Sequence, residues 1–150
     1  MNCFECKKEL QDSQYKKSIS TLGVALCDRH TSLILNLMAA NNTPKEAVQL
    51  YFGLKAAGIK PTLEWWDGSK FVDLSISRVK LNIEIDTNYQ RITHQQAIKD
   101  LEKAMNSFKN GFTTIRIPHV LIKYYLNETV DNILGIMEGL KANVKLVQRV

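Results

Sequence analysis

The sequence predicts an α/β protein, with an α+β mixed sheet flanked by helices and a small zinc-binding module at the amino terminus. Short runs of β-branched and large apolar residues predict the strands, and apolar residues at helical spacing on both sides of them predict the helices. All three cysteines lie within the first 27 residues, which sets that region apart. We therefore divide the chain into residues 1–42, the zinc-binding module with its linking helix, and residues 43–150, the main domain.

The spacing of the cysteines indicates the zinc site. Two residues separate Cys3 from Cys6, and two separate Cys27 from His30. Each pair can supply two ligands to the same ion. Three thiolates and one imidazole then complete a closed tetrahedral site for a structural Zn²⁺. The alternatives are three reduced, buried cysteines or one disulfide with a spare thiol. In so small a module we expect zinc binding and folding to be coupled.

Between the two ligand pairs we expect a short hairpin, formed by residues 14–21 and 22–26 around Gly23. A helix that begins near Asp28 then carries His30 in its first turn and links the module to the main domain. This arrangement resembles a treble clef. The role of the module stays open between docking on DNA, recruiting a protein partner and capping the structure.

The main domain begins with a helix signal. Thr43 is the predicted cap, Pro44 the first helical residue and Glu46 the third residue of a capping box, and Gly58 ends the helix. A first strand over residues 62–66 follows.

The stretch from Glu64 to Asp86 predicts a β-hairpin that carries acids, with strands over Phe71 to Ile76 and Lys80 to Asp86. If a two-residue connection pairs Ser77 with Lys80, Asp73 lies opposite Glu84, with Cβ atoms roughly 5 Å apart. Glu84 and Asp86 share one strand face, opposite the apolar face. Carboxylates that close repel each other unless they are protonated or bridged by a cation, which indicates Mg²⁺ or Mn²⁺.

The remaining pattern completes the sheet. A long amphipathic helix over residues 93–109 precedes a strand over residues 112–117, and helical patterns continue to Leu140. A helix between the third and fourth strands permits a right-handed crossover into parallel pairing. The tail, residues 143–150, is either a short extra strand or a frayed end.

These motifs resemble the PD-(D/E)XK nuclease superfamily, which has the restriction-endonuclease-like fold with an αβββαβα core. They are most similar to its very-short-patch-repair-like branch, in which an acidic strand motif VDF precedes LxIEVDGxxH, a D-x-x-R helix and a vLRf strand. The counterparts here are Val72 to Leu74, Leu81 to Asp86, Asp100 to Lys103 and Thr114 to Ile117. The chain departs from the branch at Thr87, where the family has glycine, and at Gln90, where it has histidine.

The resemblance implies that Asp73 and Glu84 are catalytic carboxylates that hold Mg²⁺ or Mn²⁺, with Asp86 as a second or water-mediated ligand. Asp86 occupies the position of the superfamily's usual lysine, whose role then falls to Lys80, Lys103, a second metal or nothing. Glu46 either reaches these acids, as the first-helix glutamate does in many relatives, or serves only the helix cap.

Basic residues and histidines supply further candidates. Lys103 matches the arginine of the D-x-x-R motif and, with Lys99 one turn away, can contact phosphate, although a solvated face is the alternative. His94 is either a general base or an exposed histidine at a helix start. His119 has no acidic or cysteine neighbour in the sequence that suggests a role.

The function that the resemblance implies is that of a metal-dependent DNA endonuclease of the restriction, repair or mobile-element kind. A formal net charge of +5 favours such an anionic partner. The alternatives are a nucleic-acid-binding module without efficient catalysis, and a protein-interaction domain whose zinc module recruits a partner. Many such nucleases act as homodimers. The chain has no apolar run of about 18 residues and no secretory leader, so we expect a cytoplasmic protein outside the membrane.

Overall fold

The computed structural model of the protein describes residues 1–87 and 93–149. The helices within these residues are α1 (Asp12–Leu22), α2 (Asp28–Asn41), α3 (Lys45–Ala56), α4 (His94–Lys109), α5 (His119–Tyr124) and α6 (Leu126–Arg149). The strands are β1 (Thr62–Trp66), β2 (Phe71–Ile76), β3 (Leu81–Asp86) and β4 (Thr113–Pro118). The predicted mixed sheet flanked by helices is confirmed. Gln90 lies outside the described residues.

The sheet has the order β1-β2-β3-β4. The first three strands form an antiparallel meander, and β4 pairs parallel to β3 after the crossover through α4. Between β2 and β3 a single 3-10 turn spans Ser77–Val79, and Lys80 closes it with a left-handed φ of 50°. Leu74 pairs with Ile83 and Ile76 with Leu81. This is the register predicted for the hairpin.

The apolar face of the sheet forms the main core. Leu74, Ile76, Leu81 and Ile83 are almost wholly buried, as strand alternation requires of residues on one covered face. The helices α3, α5 and α6 contact one another and supply further core residues. The opposite, polar face of the sheet lies towards α4, which contacts β4.

The zinc-binding module shares this core. Cys3, Leu22 and Leu26 are fully buried in the same apolar cluster as Leu50 of α3. The Phe4 ring also meets the ring of Phe52 edge to face, with centroids 5.4 Å apart. The amino-terminal residues therefore pack as part of one continuous core.

The predicted hairpin in the module is wrong, because α1 occupies residues 12–22. Tyr15, Ile19 and Leu22 are spaced for one face of a helix. Gly23, with a φ of 77°, is the left-handed cap of that helix and not a hairpin turn. The predicted helix at Asp28 is confirmed.

Two further helix ends differ from expectation. Pro44 and not Thr43 caps α3, because the buried Thr43 hydroxyl donates instead to Glu64 Oε1 at 2.5 Å, and the predicted capping box with Glu46 is absent. The tail is not a strand: α6 continues to Arg149. Val144 and Val147 extend the helical spacing of Val130, Ile133, Met137 and Leu140.

The amphipathic helix α4 begins as predicted, with the Thr93 side chain accepting a hydrogen bond from the Gln96 amide. Its apolar stripe is exposed: Ile98, Leu101, Met105 and Phe108 keep 47–71% of their surface open to solvent. None of the helices in residues 1–87 and 93–149 has the length and apolar character needed to cross a bilayer.

Candidate functional site: a cysteine-histidine cluster and a row of carboxyl groups

The four predicted zinc ligands lie together. One ligand atom from each of Cys3, Cys6, Cys27 and His30 falls within 4.8 Å of all the others. His30 Nδ1 is 3.1 Å from Cys27 Sγ and 3.7 Å from Cys3 Sγ, and the sulfurs of Cys6 and Cys27 are 3.9 Å apart. All three cysteines are free thiols. Three soft sulfurs and one imidazole match the preference of Zn²⁺, so these residues could bind it.

Local backbone structure positions each ligand pair. Cys3 donates its N–H to Lys8 O at 2.7 Å, and its carbonyl accepts from Lys7, whose left-handed φ of 65° turns the chain back. This knuckle holds Cys3 and Cys6. Cys27 is the cap residue of α2, so His30 stands in the first helical turn beside it.

The electrostatics of the cluster favour thiolate at Cys3. Burial opposes its ionisation, but backbone hydrogen bonds at Cys6, Cys27 and Glu5 outweigh burial and lower the pKa of the Cys3 thiol to about 6. At Cys6 a backbone hydrogen bond from Lys8 lowers the pKa, but burial and the neighbouring sulfurs raise it above its ordinary value overall. The closeness of the sulfurs therefore disfavours ionisation of all three thiols unless a cation bound between them offsets their repulsion.

The second candidate site is a row of side chains across the polar face of the sheet. Leu63 and Trp65 of β1 pair with Leu74 and Val72 of β2, so the residues between them, Glu64 and Asp73, stand level. The register of β2 and β3 continues to bring Asp73 level with Glu84, and Glu84 pairs with Arg116 of β4. We call the three carboxyl residues of this line, Glu64, Asp73 and Glu84, the acid row.

Side-chain cations already offset part of the repulsion in the acid row. Lys70 Nζ lies 3.3 Å from Glu84 Oε1, and Arg116 Nη1 lies 3.3 Å from Glu84 Oε2. Arg116 also lies 3.8 Å from Asp86 and 3.5 Å from Asp100. In the part of the chain that the structure describes, the carboxyl groups do not form a compact ligand group like that of the cysteine-histidine cluster.

Two carboxyl groups of the acid row resist ionisation. Burial raises the pKa of Asp73, and repulsion from Glu84 raises it further. A hydrogen bond of 2.8 Å from the Ile85 amide to Asp73 Oδ2 lowers this pKa but does not outweigh them. Burial likewise raises the pKa of Glu64, with repulsion from Asp73 and Glu84, although Thr43 donates to it. These groups interact electrostatically, as the predicted pairing of Asp73 with Glu84 requires.

A cavity of about 360 Å³ lies between the sheet and α4 beside the acid row. Its polar lining comes from Lys70, Glu84, Asp86, Asp100, Thr114 and Arg116, and α4 adds Ala97, Leu101 and Ala104. Glu84 and Asp86 thus face one concavity, as their alternation on β3 predicts. Its volume lies at the small end of the range usual for ligand pockets, about 300–1,000 Å³.

A buried network fixes the edge of this cavity. Asp67, only 4% exposed, accepts hydrogen bonds from the amides of Ser69 and Lys70 through Oδ1. Its Oδ2 accepts from Asn82 of β3 at 2.9 Å and from Ser107 of α4. Burial opposes its ionisation, but these bonds prevail and lower the pKa of Asp67. The turn that carries Lys70 is therefore tied to both the sheet and α4.

The other predicted site residues lie outside the cavity lining, and among them is Asp73, although it stands level with Glu84. Glu46 is half-buried in the first turn of α3, on the helix that packs against the apolar face of the sheet. Lys99, Lys103 and His94 are exposed on α4. Lys80 reaches over the ring of Phe112, with Nζ 5.9 Å from its centroid.

Sequence reasoning missed several residues of the site. Glu64, Lys70, Asp100 and Arg116 were given no role in the predicted site, although Asp100 and Arg116 lie inside two of the motifs quoted above, and this was a usable signal. His119 was given no role, yet its Nδ1 lies 3.2 Å from the Asp86 carbonyl, which can only accept, so Nδ1 donates. Only the parallel pairing of β3 with β4 brings His119 there.

Comparisons with models of known protein families and with curated proteins find no match for this chain.

Proposed function

We propose that the protein is a metal-dependent DNA endonuclease whose main domain has the restriction-endonuclease-like fold. The observation that carries the proposal is the acid row, in which Glu64, Asp73 and Glu84 stand level on three adjacent strands. Strands are rigid supports, and oxygen ligands held on them suit Mg²⁺ or Mn²⁺. The strand order and the parallel β4 agree with the core expected of this fold.

The charge balance of the site supports a cation. Among the described residues, five carboxyl groups lie around the row, Glu64, Asp73, Glu84, Asp86 and Asp100, and the two cations Lys70 and Arg116 interact with all of them except Glu64. A divalent ion would be held by Asp73 and Glu84, with Asp86 as an additional ligand. When bound, such an ion lowers the pKa of a water molecule and so supplies the nucleophile for phosphodiester hydrolysis.

The basic residues of the site have a separate role in this proposal. Lys70, whose side chain is 13% exposed, and Arg116 are the cations in contact with Glu84, so they are placed to bind the phosphate and stabilise its developing charge. In this proposal they take the role that the sequence left open between Lys80, Lys103, a second metal and nothing. Lys99 and Lys103, exposed on α4, then contact the flanking DNA backbone.

The zinc in this proposal is structural. Cys3 and Cys27 are 0% and 5% exposed and belong to the shared core, so an ion there would brace the fold and leave no position for a substrate. Zinc at the cluster and the divalent ion at the acid row are therefore separate, and a chelator acts on both.

The test is incubation of supercoiled plasmid and of single-stranded DNA with the zinc-loaded protein and added Mg²⁺ or Mn²⁺. Wild type should cut, and Asp73→Ala should not. Asp131→Ala, which removes an exposed carboxyl group on α6, is the matched control and should cut like wild type. Cleavage that survives Asp73→Ala contradicts the proposal.

A second candidate function rests on the same ion pairs. Because Lys70 and Arg116 already engage Glu84, the fold can also serve as a nucleic-acid-binding module without catalysis. The wild-type protein would then bind DNA but not cut it at any divalent-ion concentration. In either case, replacing both Lys99 and Lys103 with alanine should lower the salt slope of DNA binding by about one to two units.

A further inference from the structure

An exposed aromatic pair stands at the end of the β1-β2 hairpin. Trp66 and Phe71 pair across the two strands, and their rings meet edge to face with centroids 5.1 Å apart. Trp66 is 52% exposed and Phe71 is 60% exposed. Large aromatic rings bury readily in cores, so two that remain open to solvent side by side indicate a binding surface.

The pair belongs to the same sheet face as the acid row. Phe71 and Asp73 are two residues apart on β2, so their side chains point to one face at a separation of about 7 Å along the strand. Lys70, which contacts Glu84, directly precedes Phe71. Aromatic surface, a cation and the proposed reaction site thus follow one another along a single edge of the molecule.

The structure also holds this edge rigid. The turn between Trp66 and Phe71 is anchored by Asp67, whose side chain accepts four hydrogen bonds from Ser69, Lys70, Asn82 and Ser107. Gly68 adopts a φ of 97°, and a Cβ there would lie 3.1 Å from Asn110 Nδ2. A surface ordered before binding loses little conformational entropy on binding.

We propose that Trp66 and Phe71 stack on unpaired bases next to the acid row, so that the substrate class is single-stranded or locally unpaired DNA. This inference rests on the proposed function, because it takes the acid row as the reaction site. In a duplex the base faces are stacked on one another and closed to a side chain, whereas every unpaired base offers a face to an aromatic ring. Such surfaces combine stacking with attraction for the backbone, and the net charge of +5 supplies that attraction here.

The test compares two labelled probes, a 12-nucleotide oligothymidine and a 12-base-pair duplex, by fluorescence anisotropy. The zinc-loaded full chain is used without added divalent ion, so that no cleavage occurs. Trp66→Ala and Phe71→Ala should each weaken single-strand binding on the order of 10-fold and leave duplex binding within about 2-fold. Tyr124→Ala is the matched control, because Tyr124 is 67% exposed at the end of α5. Trp66→Phe should retain most of the affinity.

Tryptophan fluorescence reports the stacking directly. The chain has two tryptophans, and Trp65 buries an Nε1 that has no partner among the described residues, so Trp65→Phe removes an unsatisfied group. In that background, oligothymidine should quench Trp66 emission, and duplex should not. The variants are first checked for native circular dichroism.

Several results overturn the inference: no binding of oligothymidine, equal loss on both probes in Trp66→Ala, or no loss in a folded Trp66→Ala. Binding of an apolar protein partner through the pair would give this last result. Failure of the proposed function is distinguishable, because single-strand binding that depends on Trp66 without cleavage of any DNA refutes the nuclease and supports the stacking surface.

Discussion

The cysteine-histidine cluster and the acid row are two groups of polar side chains built in different ways. The cluster takes two pairs of neighbours in the chain and brings their ligand atoms within 4.8 Å of one another. The acid row takes one carboxyl residue from each of three strands, and Glu84 is partly neutralised by Lys70 and by Arg116 of the fourth strand. A site of local pairs is compact by construction, whereas a site across a sheet is spaced by the strands, about 4.8 Å apart.

The two sites also differ in what surrounds them. Cys3 and Cys27 lie within the apolar core, so the core and the cluster stabilise each other. The acid row lies on the polar face of the sheet, and its Glu84 lines a cavity that opens to solvent. We therefore expect the first site to govern stability and the second to govern activity, and the following predictions test that division.

Removal of a zinc ligand should have the largest effect on stability. His30→Ala leaves three thiols without the fourth ligand, and structural zinc contributes roughly 10 kcal/mol or more in small zinc modules. That is comparable with a typical total stability of about 5–15 kcal/mol, so the variant should lose both bound zinc and cooperative melting. His94→Ala, an exposed histidine on α4, is the control and should behave as wild type. Elemental analysis and thermal circular dichroism provide the measurements.

The opposite outcome is equally clear. Zinc-free wild-type protein that melts at the temperature of the loaded protein would show that the apolar core alone holds the cluster together.

Loss of the buried Asp67 carboxylate should have the next largest effect. Asp67→Ala leaves the side chains of Asn82 and Ser107, both 0% exposed, without their hydrogen-bond acceptor. We expect this to lower the free energy of unfolding by about 3 kcal/mol. Urea denaturation measures this, with Asp131→Ala expected to change stability by less than about 0.5 kcal/mol. Since hydrogen bonds lower the pKa of Asp67, its contribution is present above its ordinary pKa and is lost as pH falls through the lowered value. A pH-independent difference between wild type and Asp67→Ala contradicts this.

The clustering of Cys3, Cys6, Cys27 and His30 was predictable from the sequence for the same reason that makes the cluster compact. The spacing of Cys3, Cys6, Cys27 and His30 indicates a shared site whatever structure the chain between them adopts. The four side chains do lie together, although the predicted hairpin between them proved to be α1. The error arose because Gly23 serves equally as a hairpin turn and as a helix cap. Local chemistry was thus readable where local structure was ambiguous.

The acid row was predictable only as far as one hairpin reaches. The short connection over Ser77–Val79 fixes the register of β2 and β3. The sequence was therefore enough to place Asp73 opposite Glu84. The position of Arg116 depends on a crossover of variable length into parallel pairing. The position of Glu64 depends on a turn that allows several registers. Their positions needed the tertiary structure.

Neutralising members of the acid row should have small effects of opposite sign. Asp73→Asn removes repulsion with Glu84 and should stabilise the metal-free protein by a few tenths to about 1 kcal/mol. Glu84→Gln should instead destabilise it, because Lys70 and Arg116 lose their carboxylate partner. Added Mg²⁺ or Mn²⁺ should raise the melting temperature of wild type but of neither variant.

The pH dependence of this effect has a definite sign. Burial and repulsion raise the pKa values of Asp73 and Glu64, so the folded state binds more protons than the unfolded state between the ordinary carboxyl pKa of about 4 and the raised values. Their cost is absent at lower pH and grows as pH rises through that window. The advantage of Asp73→Asn over wild type should therefore grow with pH, and an advantage that is constant from pH 4 to pH 8 would contradict the repulsion.

The smallest expected effect tests whether a charge pair helps to join the zinc-binding module to the main domain. Lys55 of α3 donates to Glu5 at 2.5 Å and to Tyr51 at 3.3 Å, but the Lys55 and Glu5 side chains remain 27% and 22% exposed. Partly exposed ion pairs contribute little, so a double-mutant cycle of Glu5→Gln and Lys55→Met should give a coupling of about 0.5 kcal/mol. Raising the salt concentration should reduce it, because the pair is open to screening. A coupling above about 2 kcal/mol would mean that charge, and not the shared apolar core with its Phe4 and Phe52 contact, holds the module in place.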